Sequence, residues 1–203
     1  MGMVNDLLSK YPLVSDQVNK AQVATILTEL QRILEQRVEG AIVEFGCYVG
    51  TTSLFIRRLL DALASDREFH VYDSFEGLPP KTTEDESGAG TQFQAGELAV
   101  SKKQFLEQFK KSGLVPPVIH KGWFSSLETA DVPNKIAFAF LDGDFYESIK
   151  DSIKLVRPRL SPGATIVVDD YAREALPGAK RAVDELLFGH PVFVQHNLGI
   201  IRL

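Results

Sequence analysis

The chain has a single cysteine, Cys47, among its 203 residues. One thiol excludes an internal disulfide and any cysteine-based metal cluster. Histidine is also scarce, and His70, His120, His190 and His196 show no ligand spacing. That sets aside a zinc centre and a 2-His-1-carboxylate iron site. No apolar run approaches the roughly 20 residues a bilayer-crossing helix needs. The opening MGMVNDLLSKYPLV lacks the basic start and apolar core of a signal peptide. These absences lead to the expectation of a cytoplasmic protein with no membrane partner. Basic charge is in deficit, with 22 Lys and Arg against 27 Asp and Glu for a net charge of -5. Phosphate contacts need a basic surface, so nucleic acid is not expected as a partner. The G-x-G-x-x-G fingerprint is missing as well, which disfavours a pyrophosphate cradle and a nicotinamide-dependent dehydrogenase.

What is present suffices for one core, since 44% of the residues are hydrophobic. IAFAFLDGDFY, at 136–146, runs from apolar residues straight into Asp142 and Asp144, separated by Gly143. ATIVVDDY, at 164–171, repeats the pattern and ends in Asp169 and Asp170. Alternate side chains of a strand share a face, so Asp142 and Asp144 would point the same way if the extended geometry persisted. Two adjacent parallel strands ending like this gather carboxylates that repel one another unless a cation, a donor or a proton lies between them.

Taken in order, the chain alternates strand and helix. Apolar residues at helical spacing predict a helix over 18–38, with Ser15 or Asp16 as its cap. This segment, residues 1–40, is read as a helical cover for the sheet, and its apolar positions leave a homodimer or higher homo-oligomer open. AIVEFGCYVGTTSLF reads as strand, glycine turn and helix. Its Gly46 and Gly50 let a ligand approach the backbone, beside free N–H groups at a helix start. A second strand over 69–72 ends at Asp73, placed to accept hydrogen bonds from ribose hydroxyls. Residues 76–98 lose periodicity and are read as a mobile lid inserted in a domain spanning 41–203. A third strand over 116–124 ends at Trp123, the lone tryptophan, whose ring could flank an adenine. Helices are expected over 147–156 and 177–188, and the last two short strands form an antiparallel pair. The fold class is α/β, a doubly wound, Rossmann-like, mostly parallel sheet with helices on both faces and a closing antiparallel hairpin.

EFGCYVGTTS, YDSFEGLP, KGWF, FLDGDFYES and VVDDY, in this order, resemble the macrocin O-methyltransferase family, class I S-adenosylmethionine (SAM) enzymes that use magnesium and methylate sugars in macrolide and aminocoumarin biosynthesis. The resemblance runs from about Glu44 to about Leu187 and leaves the N-terminal segment outside it. It implies that Glu44, Gly46, Gly50 and Ser53 hold the methionine part of SAM, that Asp73 binds the ribose, and that Trp123 and Ser125 line the adenine. It further implies Asp142, Asp169 and Asp170 as magnesium ligands, with Asp142 also in the cofactor-binding set, and Asp144 as general base. The partner implied is a small molecule offering a hydroxyl acceptor, a sugar or glycosylated metabolite with neighbouring hydroxyls. Two other readings use the same scaffold: a metal-dependent hydroxylase-like or hydrolase-like enzyme, and a SAM-binding protein without catalysis.

Overall fold

The computed structural model describes residues 2–89 and 93–203. Seven strands form one sheet: β1 (Ala41–Phe45), β2 (Phe69–Asp73), β3 (Val118–Lys121), β4 (Ile136–Leu141), β5 (Leu160–Val168), β6 (Val192–Gln195) and β7 (Leu198–Arg202), in the order β3-β2-β1-β4-β5-β7-β6. β1 to β5 pair in parallel, while β7 runs antiparallel between β5 and β6. The chain winds outward from β1 through β2 to β3, then returns to lay β4 on the other side of β1. A crevice opens at the carboxyl ends of β1 and β4, where the winding reverses.

The central strands are apolar throughout because both sheet faces are covered. Ile42, Phe138, Phe140, Val167 and Ile200 face one core, with α1 (Met3–Lys10), α2 (Lys20–Glu35), α3 (Thr51–Ala62) and α4 (Lys102–Ser112). Val43, Phe45, Ala139, Leu141, Ile166, Val168 and Ile201 face the other, with α5 (Tyr146–Val156) and α6 (Pro177–Leu186). Neighbours in sequence go to opposite cores, as the pleat requires. No helix among the described residues is long and apolar enough to cross a membrane.

Several boundaries differ from the expectations. α2 begins at Lys20, not Val18, and its cap is Asn19 rather than Ser15 or Asp16. Asn19 Oδ1 accepts from the N–H groups of Ala21 and Gln22, while Gln22 Oε1 accepts from Asn19 N–H at 3.0 Å. That reciprocal capping box satisfies donors a serine four residues earlier could not reach. The third strand is only four residues long, and Trp123 stands beyond it, past Gly122. α6 stops at Leu186, three residues short of Gly189. α1 was not anticipated; it buries only Val4 and Leu8, too short a pattern to stand out.

α2 is registered on the sheet by polar contacts as well as by its apolar stripe. Thr25 Oγ1 lies 3.0 Å from His196 Nδ1, and Arg202 donates to Glu29 at 2.6 and 3.0 Å. Arg32 reaches both Glu29 and Thr165. Burial pushes the Glu29 carboxyl up, and the hydrogen bonds and charges of Arg202 and Arg32 more than offset it, leaving it below the ordinary value. Such contacts contribute little net stability against a well-packed apolar alternative, but a slipped register would leave each partner buried and unpaired.

Candidate functional site

β1 ends at Phe45 and the chain turns through Gly46 and Gly50, both at positive φ (84° and 91°). A Cβ on Gly46 would lie 1.8 Å from the carbonyl oxygen of Asp142, and one on Gly50 would lie 2.9 Å from the Phe105 ring. The turn is therefore wedged between the exit of β4 and α4. Asp73, ending β2, stitches it to the next turn. Its Oδ2 accepts from the N–H groups of Cys47 and Tyr48 at 2.8 and 3.1 Å, and its Oδ1 from Phe75 N–H at 2.7 Å. Beneath the turn Ser53 donates to Glu44 at 2.5 Å, both sealed from solvent. Burial pushes Glu44 up to about 8; the Ser53 hydrogen bond pulls it down and the charge of Asp73 pushes it further up.

The acidic side is built by β4 and β5. Backbone bonds hold the strand ends in register, Asp142 N–H to Phe45 O at 2.8 Å and Asp169 N–H to Leu141 O at 2.9 Å. Extended geometry does not continue to Asp144. Its φ is +58°, and Phe145 N–H closes a tight turn onto Gly143 O at 2.6 Å. Asp142 and Asp144 consequently leave the strand by different backbone paths, yet both reach the same cleft. Asp169 and Asp170 lie below them, Asp169 accepting from Gln22 Nε2 at 3.0 Å and Asp170 pairing with Arg173 at 3.1 Å.

Burial is the first cause that raises all four carboxyl groups. Asp142 is pushed further by the charges of Asp169, Asp144 and Asp170, and Asp144 by Asp170 and Asp169 against Arg173 and Lys81. Asp169 is raised to about 7 by burial and Asp170, with the Asp170 backbone, Gln22 and Arg173 opposing. Asp170 is raised less freely because Arg173 stands against it. The donor set is all oxygen, with no imidazole or thiolate. Among the described residues no three His, Cys, Asp or Glu side chains stand in a ready ligand shell.

Gly46, Asp73, Trp123, Asp142, Asp144, Asp169 and Asp170 line one open cleft. Glu44, Gly50 and Ser53 stand behind its wall, where they shape the glycine turn. Ser125 is exposed, in a shallow hollow with Leu127 and Glu128 on another side of Phe124. The 3-10 turn at 124–126 carries it away from the cleft while Phe124 and Trp123 remain on the wall. Sequence reasoning missed Gln17, Gln22, Tyr48, Leu78 and Arg173. Arg173 carried a local signal, a cation three residues after Asp170; Gln17 and Gln22 lie more than a hundred residues from the carboxylates, and nothing near them signals a contact there.

Residues 76–98 are not without structure. Thr83–Asp85 form a 3-10 turn, and Leu78 packs with Phe145, Leu176, Phe93 and Leu98. Asp85, 2% exposed, accepts from Thr82 N–H at 2.9 Å and from Tyr146 N–H at 2.7 Å. It thereby caps α5, whose own N-cap, Phe145, offers no side-chain acceptor. Gly90, Thr91 and Gln92, part of the expected lid, lie outside the described residues. Asp85→Ala removes these bonds and a third from the Thr82 hydroxyl at a buried site, and is expected to cost about 1–3 kcal/mol in urea unfolding. An unchanged midpoint would mean that this segment is not anchored through Asp85.

A family model described as Macrocin-O-methyltransferase (TylF) matches residues 10–193. The chain is 34% identical over 153 residues, 72% of its length and 58% of the relative's, to the 8-demethyl-8-(2,3-dimethoxy-alpha-L-rhamnosyl)-tetracenomycin-C 4'-O-methyltransferase of Streptomyces olivaceus. It is 29% identical to the mycinamicin III 3''-O-methyltransferase of Micromonospora griseorubida, over 80% of this chain and 66% of that one. The chain thus spans about three-fifths to two-thirds of the length of these curated relatives. Among solved structures, the O-methyltransferase NovP superposes with a TM-score of 0.79 at 25% identity, over 91% of this chain and 80% of that one.

Proposed function

We propose that this chain, which belongs to the macrocin-O-methyltransferase family, is a SAM-dependent O-methyltransferase acting on a small molecule with neighbouring hydroxyls, a sugar or a glycosylated metabolite. One observation carries the reading. A single cleft at the topological switch point is bounded on the β1–β2 side by a glycine turn and Asp73, and on the β4–β5 side by four carboxylates. The first side suits a nucleoside-bearing cofactor and the second a polyhydroxylated acceptor. The names of two relatives, which describe O-methyl transfer onto a rhamnosyl tetracenomycin and onto mycinamicin III, support the choice of reaction.

SAM would lay its methionine part against the turn of Gly46 to Tyr48 and its ribose against Asp73. Each Asp73 oxygen already accepts backbone N–H groups, and a carboxylate retains further lone pairs for ribose hydroxyls. Trp123 would face the adenine. Magnesium belongs to the same reading, because crowded carboxylates offering only oxygen fit a hard divalent cation. Asp142, Asp169 and Asp170 would hold it, where it would offset their mutual repulsion and lower the pKa of the acceptor hydroxyl. The protein's own task is alignment: the acceptor oxygen must stand opposite the sulfonium sulfur, in line with the methyl carbon. When bound, SAM would supply the methyl group from a sulfonium whose sulfur leaves as a neutral thioether, keeping the electron pair of the C–S bond. Asp144, beside the acceptor side of the cleft, takes the hydroxyl proton.

The test is calorimetric titration with S-adenosylhomocysteine, with and without magnesium, of the wild type and Asp169→Ala. Nucleoside binding is expected to survive the substitution, and the magnesium heat to vanish. Methyl transfer should fall by more than about a hundredfold, beyond the loss usual for an outer-shell partner. Failure of the wild type to bind S-adenosylhomocysteine would sink the assignment. Binding without any magnesium heat would remove the metal and leave Asp144 as the residue to substitute.

A further inference from the structure

Gln22 stands at the first turn of α2, 147 residues away in sequence from the aspartate it meets. Both ends of its side-chain amide are engaged. Oε1 accepts from Asn19 N–H at 3.0 Å and Nε2 donates to Asp169 Oδ1 at 3.0 Å. The capping box settles which way the amide faces, because only the oxygen can accept from the Asn19 backbone; the NH₂ group is then directed at Asp169. Gln22 and Asp169 are 7% and 5% exposed, so water competes little for this bond. Gln17, just before the helix, lines the cleft, and Ser15 Oγ lies 2.9 Å from Thr51 Oγ1 on α3. The stretch read from sequence as a cover for the sheet therefore forms part of the site wall.

We infer that Gln22 is a positioning residue: by occupying Oδ1 of Asp169 it fixes the rotation of that carboxylate and presents Oδ2 to the cleft. The inference rests on the metal-dependent reading above. A carboxylate free to rotate would lose ordering entropy each time it engaged a cation, and a fixed one has lost it on folding. The contacts of Thr25 with His196, and of Glu29 with Arg202, hold α2 at the height where Gln22 meets Asp169.

The test measures Mn²⁺ binding by the electron paramagnetic resonance signal of the free ion, with S-adenosylhomocysteine present, for the wild type, Gln22→Met and Asn19→Ala. Met is as long as Gln but has no donor, so Gln22→Met loses both the cap contact and the bond to Asp169. Asn19→Ala loses its half of the cap and leaves Nε2 on Asp169. Gln22→Met is expected to weaken Mn²⁺ binding about tenfold or more. Asn19→Ala should stay within about twofold of wild type, and both should keep the wild-type affinity for S-adenosylhomocysteine, which also reports that they are folded. Wild-type Mn²⁺ affinity in Gln22→Met overturns the inference alone. Equal weakening in Asn19→Ala also overturns it, since general loosening of the helix would then explain the loss. Absence of Mn²⁺ binding by the wild type overturns the metal reading and this inference together.

Discussion

Gly46→Ala is expected to lose about 3–5 kcal/mol of stability and all measurable binding of S-adenosylhomocysteine. Two costs combine. The residue sits at φ +84°, where a Cβ costs roughly 1–2 kcal/mol from local sterics. The added methyl would also lie 1.8 Å from the Asp142 carbonyl oxygen and 2.8 Å from its carbon. Those are backbone atoms, so relief requires β1 and β4 to part where Asp142 N–H bonds Phe45 O at 2.8 Å, while Gly46 N–H ties the same turn to Tyr72 O of β2, also at 2.8 Å. Parting them moves the glycine turn and the first carboxylate of the acidic side together, so cofactor and acceptor sides fail at once. Gly96→Ala separates the two costs. Its φ is +83° with nothing within 4 Å of the added carbon, and it should lose only the local penalty of about 1–2 kcal/mol. Urea midpoints for both variants, with one titration each, check this. Equal losses would mean that the turn is not wedged against β4.

Much of this arrangement was legible because it is local. A strand buried on both faces writes itself as an apolar run, and AIVEF and IAFAFL lie where such runs place β1 and β4. Carboxylates directly after those runs, and glycines directly after the first, lie at the carboxyl edge by connectivity alone, so Gly46, Asp73, Asp142, Asp144, Asp169 and Asp170 converge on one cleft. The misses are contacts closed by the fold between distant segments. Asp85 caps a helix 61 residues later, and nothing near Asp85 marks it as different from Glu84 or Glu86. Gln22 carries a capping signal of its own, but its second bond depends on how α2 is set along β5. Asp144 shows a subtler limit: period-two alternation aimed it correctly only up to Gly143, after which a positive φ chose its direction. Ser125 went astray for the same reason, since a 3-10 turn reverses faces within three residues.

Glu44→Gln should remove a pH dependence of stability that the wild type carries between about pH 4.5 and 8. Glu44 is raised from an ordinary 4.5 to about 8 by burial, with the Ser53 hydrogen bond lowering it and Asp73 raising it. The folded protein therefore holds this proton more tightly than the unfolded chain across that window. The favourable contribution is fully present below the unfolded value, falls by about 1.4 kcal/mol for each pH unit above it, and is gone above about 8. The whole window is worth at most about 5 kcal/mol. Glutamine keeps the shape and an oxygen to accept from Ser53, but has no proton to lose. The variant should match the wild type near pH 4.5 and exceed it increasingly toward pH 8. The cleft aspartates are also raised; Asp144, Asp169 and Asp170 carry over to the variant and cancel in the difference, while Asp142, which feels the Glu44 charge, shifts with it. Chemical denaturation of the pair at pH 5, 6.5 and 8 measures that difference directly. Parallel curves would show that Glu44 is ionised in the folded state and that a countercharge compensates it. A widening gap would show that the floor of the glycine turn is uncharged at neutral pH, leaving Asp73 as the carboxylate that meets the turn's backbone N–H groups.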